Sequence, residues 1–185
     1  PLRHEQAINF FFFVCLHQFG FWFGNETGYR GPLYGLMDGK KCKGSDLLWK
    51  AAKKAFDSNN EIYMPKNLAI ISKSELFENI FIDDDGPIHF PDREERYAIT
   101  KMYGQWLEGR GIRNEDIITA ANADKDPLKY FLERVKIIRG YDKDPFEKKN
   151  LLLAMVMANR PEKFLKNTEN SDWPPIVDYH LMRVA

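Results

Sequence analysis

Helix-start signals recur along the chain, and they constrain its fold more than any other feature. Ser45 precedes DLLWKAAKKAF, whose Leu47, Leu48, Ala51, Ala52, Ala55 and Phe56 fall on one helical face. Ser72 and Glu75 have capping-box spacing before LFENIF. Asp92 precedes REERYAITKMYGQWLEGRG, which runs to glycines at 109 and 111 suited to a helix stop. Asn114 is placed to cap EDIITAANA, while Asp126-Pro127 and Asp144-Pro145 open PLKYFLERVKII and PFEKKNLLLAMVMA. Proline at the first helical position loses nothing there, because that amide has no partner within the helix.

Between these segments lie a Gly-rich stretch, residues 24–44, and the segment DDDGPIHFPD, residues 83–92. Both read as loops, the first with a short extended pair around Asp38 and Gly39, the second with Asp83, Asp84 and Asp85 as a solvated turn. No apolar/polar alternation is sustained enough for a sheet. The pattern predicts an all-α chain, a single helical domain over residues 1–185, for which two helical lobes with a cleft between them is one suitable form. The sequence starts at Pro1 without Met and stops at Ala185 inside what reads as an unfinished amphipathic helix. A piece of a longer protein, truncated at its C-terminus, is therefore expected.

Composition narrows the function. With 185 residues, 44% of them hydrophobic, the chain can bury a core unaided by disulfides or metals. Lysine plus arginine and aspartate plus glutamate both number 27, a balance that weighs against a long polyanion as the main partner. Two cysteines, Cys15 and Cys42, exclude a disulfide scaffold, a four-cysteine zinc site and a self-contained iron–sulfur cluster. Sparse cysteine fits a reducing, cytoplasmic setting. No His, Cys and Asp cluster has ligand spacing, so neither a metal nor a cofactor is expected. The most apolar run, residues 8–24, is short for a membrane span and is interrupted by His17, Gln18 and Gly20. It reads as a buried helix whose rings can also line a pocket.

The most informative segment is the last, Trp173-Pro174-Pro175-Ile176-Val177-Asp178-Tyr179-His180-Leu181-Met182-Arg183-Val184-Ala185. Two prolines deny a regular helix, and the chain then turns helical at Asp178, a natural N-cap. The run Val177-Asp178-Tyr179-His180-x-x-Arg183 resembles the catalytic-aspartate segment of helix-hairpin-helix DNA glycosylases. The chain as a whole resembles, in order, the queuosine-salvage N-glycosylase family. That family's N-F-x-F-W element is echoed by Gln18-Phe19-Gly20-Phe21-Trp22, and its glycine–lysine element with a following A-A helix by residues 39–55. Its P-x-x-E-E-R helix start is echoed by Pro91-Asp92-Arg93-Glu94-Glu95-Arg96, and its A-D-Y-R-x-P-Q segment by Val177-Asp178-Tyr179-His180-Leu181-Met182-Arg183. Cys15 and Val156 stand near places where the family has Asp, and the glycine-rich hairpin that grips DNA in the repair enzymes is missing.

The resemblance implies a helical DNA-glycosylase-like fold and cleavage of the base–sugar bond of a modified nucleoside or nucleoside 5′-monophosphate. Asp178 is then the catalytic carboxylate, opposing the positive charge that develops on the sugar. Phe19, Phe21, Trp22 and Tyr179 are candidates for a wall on which the base stacks, and His17 and His180 for proton donors or sugar contacts. Each of these rings, taken singly, reads first as ordinary core packing. Lys40, Lys41 and Lys43 can meet a phosphate or simply be solvated. The partner expected is a small nucleoside or nucleotide, with no membrane and no metal. A DNA-repair glycosylase, with DNA as its partner, is the alternative, and a non-catalytic helical binding domain is the third reading.

Overall fold

The computed structural model describes residues 4–26 and 28–177. The chain divides into two compact units, one built from residues 1–16 and 106–185, the other from His17–Gln105. Most of the regular structure is helical: α1 (His4–Leu16), α2 (Gly44–Ser58), α3 (Pro65–Ile70), α4 (Lys73–Glu75) with a following π turn (Leu76–Ile80), α5 (Arg93–Glu108), α6 (Asn114–Ala123), α7 (Pro127–Lys136) and α8 (Lys148–Asn159). Among the described residues no helix is long and apolar enough to cross a membrane.

The helical expectation holds broadly, and the His17–Gln105 unit adds small ribbons to it. Three two-stranded antiparallel ribbons occur there: β1 (Trp22–Asn25) with β2 (Gly28–Pro32), β3 (Tyr34–Met37) with β4 (Lys40–Lys43), and β5 (Ile82–Asp83) with β6 (Gly86–Pro87). The strands are too short and too rich in glycine to show alternation, which is why residues 24–44 and 83–92 read as loops. The extended pair expected around Asp38 and Gly39 is present. Met37 pairs with Lys40, and both intervening residues have positive φ, 53° and 69°, the geometry of a tight hairpin turn whose twist suits antiparallel strands.

The acidic run does form an exposed turn at Asp84 and Asp85, but the carboxylates of Asp83 and Asp84 are also bound. Asp83 accepts from the Leu36 amide at 3.1 Å, and Asp84 accepts from the Gly39 amide at 2.8 Å while pairing with Lys54 at 3.6 Å. These carboxylates latch the β5–β6 hairpin onto the β3–β4 hairpin, satisfying amides that the short ribbons leave open.

The helices follow their start signals with instructive shifts. In α2 the predicted face is the buried one: Leu47, Leu48, Ala51, Ala52, Ala55 and Phe56 are all within it. The cap differs, because α2 begins at Gly44 behind Lys43 and Ser45 donates instead to Gln18 Oε1 at 2.6 Å. The Ser72–Glu75 capping box forms in both directions, Glu75 N to Ser72 Oγ at 3.2 Å and Ser72 N to Glu75 Oε2 at 2.8 Å. Removing the hydroxyl in Ser72→Ala costs about 1 kcal/mol of stability. The side chain of Ser72 first, and its backbone amide second, hold the Glu75 carboxyl below its ordinary 4.5. A lowered folded value means the Glu75 contribution is complete above 4.5 and fades as the pH drops through the folded value. The difference in urea midpoint between wild type and Glu75→Gln therefore narrows from pH 7 towards pH 3.

Helix α5 ends as its glycines predict. Ile112 N reaches Leu107 O at 3.1 Å and Gly111 N reaches Glu108 O at 3.1 Å, with Gly111 at φ +61°. Within α5, Gly104 has a separate reason to be glycine. A Cβ there would lie 2.4 Å from Ala69 N and 2.7 Å from Leu68 C, the backbone of α3. Backbone cannot swing aside, so Gly104→Ala forces α3 and α5 apart and costs about 1–3 kcal/mol, measured by urea denaturation.

Helix α7 starts as predicted, with Asp126 accepting from Lys129 N at 3.2 Å and Pro127 at the first position. Two starts move. Arg113, not Asn114, is the cap of α6, because the Asn114 amide donates to buried Asn9 at 2.7 Å. Helix α8 begins at Lys148 rather than Pro145. Asp144 captures the amides of Phe146 at 3.2 Å and Lys149 at 2.8 Å, holding a turn in place of a first helical turn. In the unit containing α1, that helix is buried from Ile8 to Leu16. Phe12 meets Phe131 and Tyr141 edge-on at 6.1 and 6.2 Å, and the Tyr141 hydroxyl donates to Phe12 O.

Candidate functional site

The apolar run predicted as one helix stops at Leu16, so Phe19, Phe21 and Trp22 do not lie on the first helix. His17 to Phe21 are irregular and Trp22 opens β1. Ending the helix there exposes a set of backbone carbonyls inside the fold, and one side chain meets them. Arg96, in the first turn of α5, is fully buried. Its guanidinium donates to His17 O at 2.9 Å, to Phe19 O, and to Gly20 O at 3.3 Å. Three rings surround the same group: Phe90 at 3.9 Å, Phe19 at 4.5 Å and Phe21 at 5.4 Å from its central carbon.

A buried cation costs several kcal/mol of lost hydration unless the site replaces water. Here carbonyl dipoles and ring faces do so. Burial still pushes the Arg96 guanidinium well down from its ordinary range, to about 9, with the nearby Asp92 charge pulling it back. Asp92 packs so closely under Gly20 that a Cβ on Gly20 would fall 2.1 Å from Asp92 Oδ2. Gly20 also has φ +62°. Both conditions require glycine at this position.

His17 is fully buried. Its Nε2 lies 3.0 Å from Thr100 Oγ1, and that hydroxyl gives its only proton to Arg96 O at 2.8 Å. The hydroxyl must then accept from the imidazole, which places a proton on Nε2. The ring stacks on Phe19 at 6.2 Å and meets Phe81 edge-on at 5.1 Å.

A third segment closes on the same residues. Gly44 sits against Phe21, where a Cβ would come within 3.3 Å of Phe21 Cβ. Ser45 holds Gln18, and the Lys43 ammonium stands 5.4 Å over the half-buried Trp22 ring. Lys41 lies 4.0 Å over Tyr34, so the basic run presents its charges beside exposed rings of the ribbons.

His17, Phe19, Phe21 and Trp22 are thus brought together as one segment of the His17–Gln105 unit. Asp178, Tyr179 and His180 lie outside the described residues. The chain leading to them, residues 172–177, has no regular secondary structure, as Pro174 and Pro175 require. No protein-family model matches this sequence, and a search of curated proteins finds no match either. The residues that sequence reading missed are Arg96 and Thr100. The available signal for Arg96 was its place at the end of Pro91-x-x-Glu94-Glu95-Arg96. A charge in the first turn of a helix otherwise reads as solvated.

Proposed function

We propose that the chain is an N-glycosidase that releases the base from a small modified nucleoside or nucleoside 5′-monophosphate, with a helical DNA-glycosylase-like fold and Asp178 as its working carboxylate. One observation carries the reading. Three segments singled out by their likeness to the queuosine-salvage glycosylases, residues 18–22, 39–55 and 91–96, are far apart in sequence, yet they meet. Arg96 binds the carbonyls at 17, 19 and 20, while Lys43, Gly44 and Ser45 contact Trp22, Phe21 and Gln18. Motif-bearing stretches that converge on one short segment support a shared task for them.

The chemistry asks little machinery. As the base departs, the sugar ring takes on oxocarbenium character, and a fixed carboxylate stabilises it without the reorganisation that water needs. Asp178 supplies that charge or orients the incoming water, with Tyr179 and His180 beside it in sequence. Phe19 and Phe21 shape the segment around Arg96, and the Trp22 ring lies under the Lys43 ammonium.

Substrate size is tested by salt. Binding of a free nucleoside or its monophosphate, followed by tryptophan fluorescence, is expected to change little between low and moderate salt. Duplex DNA held through phosphates would lose affinity by orders of magnitude over about 50–200 mM salt. Tight, steeply salt-dependent duplex binding would replace the nucleoside reading with that of a DNA-repair glycosylase.

A further inference from the structure

The two cysteines occupy opposite chemical settings. Cys15 is fully buried in α1, and burial alone pushes its thiol far above the ordinary range, leaving it inert. Cys42 is the inward-facing residue of β4, only 2% exposed, but its sulfur is 3.1 Å from the Lys50 ammonium. Lys50 reaches it from the second turn of α2, the helix that begins directly after β4. On its other side Lys50 pairs with Asp46 at 3.0 Å. Hydrogen bonds to Cys42 first and Asp46 second hold the Lys50 ammonium above its usual value. The Lys50 side chain is 44% exposed, so water and small solutes reach the nitrogen next to the sulfur.

We propose that Cys42 and Lys50 form a peroxide-dependent covalent bridge, Sγ–O–Nζ, that ties β4 to α2. The separation is the carrying fact: one oxygen seated between two atoms 3.1 Å apart needs them to close by only a fraction of an ångström. A direct S–N bond would need a far larger movement of a strand and a helix that are both packed.

The reaction balances with peroxide as the oxidant. One peroxide converts the Cys42 thiol to a sulfenic acid and leaves as water. The Lys50 ammonium gives a proton to solvent past Asp46. The neutral amine and the sulfenic oxygen are then joined by a second peroxide. An N–O bond forms, one hydrogen leaves the nitrogen and one leaves the oxygen, and two further waters are released. Sulfur and nitrogen each give up two electrons. The bridge removes the Lys50 positive charge and releases Asp46 from its ion pair. It also makes rigid the ribbon that carries Lys41, Lys43 and Tyr34.

The test is peptide mass spectrometry on the whole chain treated with hydrogen peroxide and digested without reductant. The expected product is a peptide pair joined through Cys42 and Lys50, heavier than the two peptides by one oxygen less two hydrogens. It disappears after dithiothreitol. It persists in Cys15→Ser and is lost in Cys42→Ser. It is also lost in Lys50→Arg, which keeps the charge and the length needed to pair with Asp46. Any of three results overturns the proposal: Cys42 oxidised to sulfinic acid with Lys50 unmodified, a pair lighter by two hydrogens, or a joined product that survives in Lys50→Arg.

Discussion

Asp178→Asn loses base release by about 10²–10³-fold or more, the usual cost of removing a preorganised group that stabilises transition-state charge. Asparagine is the informative replacement. Its side-chain oxygen caps a helix about as well as that of aspartate, so a residue whose role is capping alone tolerates the change. Loss of the negative charge, with shape and capping retained, strikes only at the electrostatic role. Thermal unfolding of Asp178→Asn is expected to stay close to wild type, and affinity for the nucleoside to change much less than turnover. Asp178→Ala would lose both cap and charge and so separates the roles less well. Turnover in Asp178→Asn within a few-fold of wild type would return this residue to helix capping alone.

Arg96→Ala destabilises the fold by about 3–5 kcal/mol, from the void left by a long buried side chain and the carbonyls left without donors. His17, Phe19 and Gly20 lose their shared donor, and the rings of Phe19, Phe21 and Phe90 lose the cation between them. Arg96→Lys recovers less than half of that loss. An ammonium is a point charge and cannot serve several carbonyls from one plane while lying flat against rings. Arg96→Met fills the volume without any donor, so the difference between the Met and Ala variants isolates packing from hydrogen bonding. Urea denaturation at neutral pH reads all of these. A loss of about 1 kcal/mol or less in Arg96→Ala would mean that segment 17–22 does not depend on this side chain.

The helical part of this fold was readable because helices announce themselves locally. The buried face of α2, the Asp126-Pro127 start of α7 and the reciprocal Ser72–Glu75 cap all depend on residues within a few positions of one another. Readings failed where a local signal was diverted to a distant partner. Ser45 bonds Gln18 and Asn114 bonds Asn9, so neither caps its helix. Asp144 holds a turn that delays α8, and Asp83 and Asp84 serve amides of β3 and its turn. The β1–β2 and β5–β6 ribbons were missed because strands so short, with glycine among their residues, have no measurable period. At the candidate site, sequence likeness picked out the rings of residues 19–22 and the Pro91–Arg96 stretch. It gave no hint that a charge from the second would be buried among rings of the first, since burial of a cation depends on neighbours some 77 positions away.

The most direct measurement is chromatographic detection of free base after incubating the chain with modified nucleosides, their 5′-monophosphates and damaged duplex DNA. The account predicts that a nucleoside or monophosphate yields base and free sugar in equal amounts, with no metal added, and that Asp178→Asn yields neither above background. Absence of base from every substrate would contradict the glycosidase reading and leave a helical binding domain organised around Arg96.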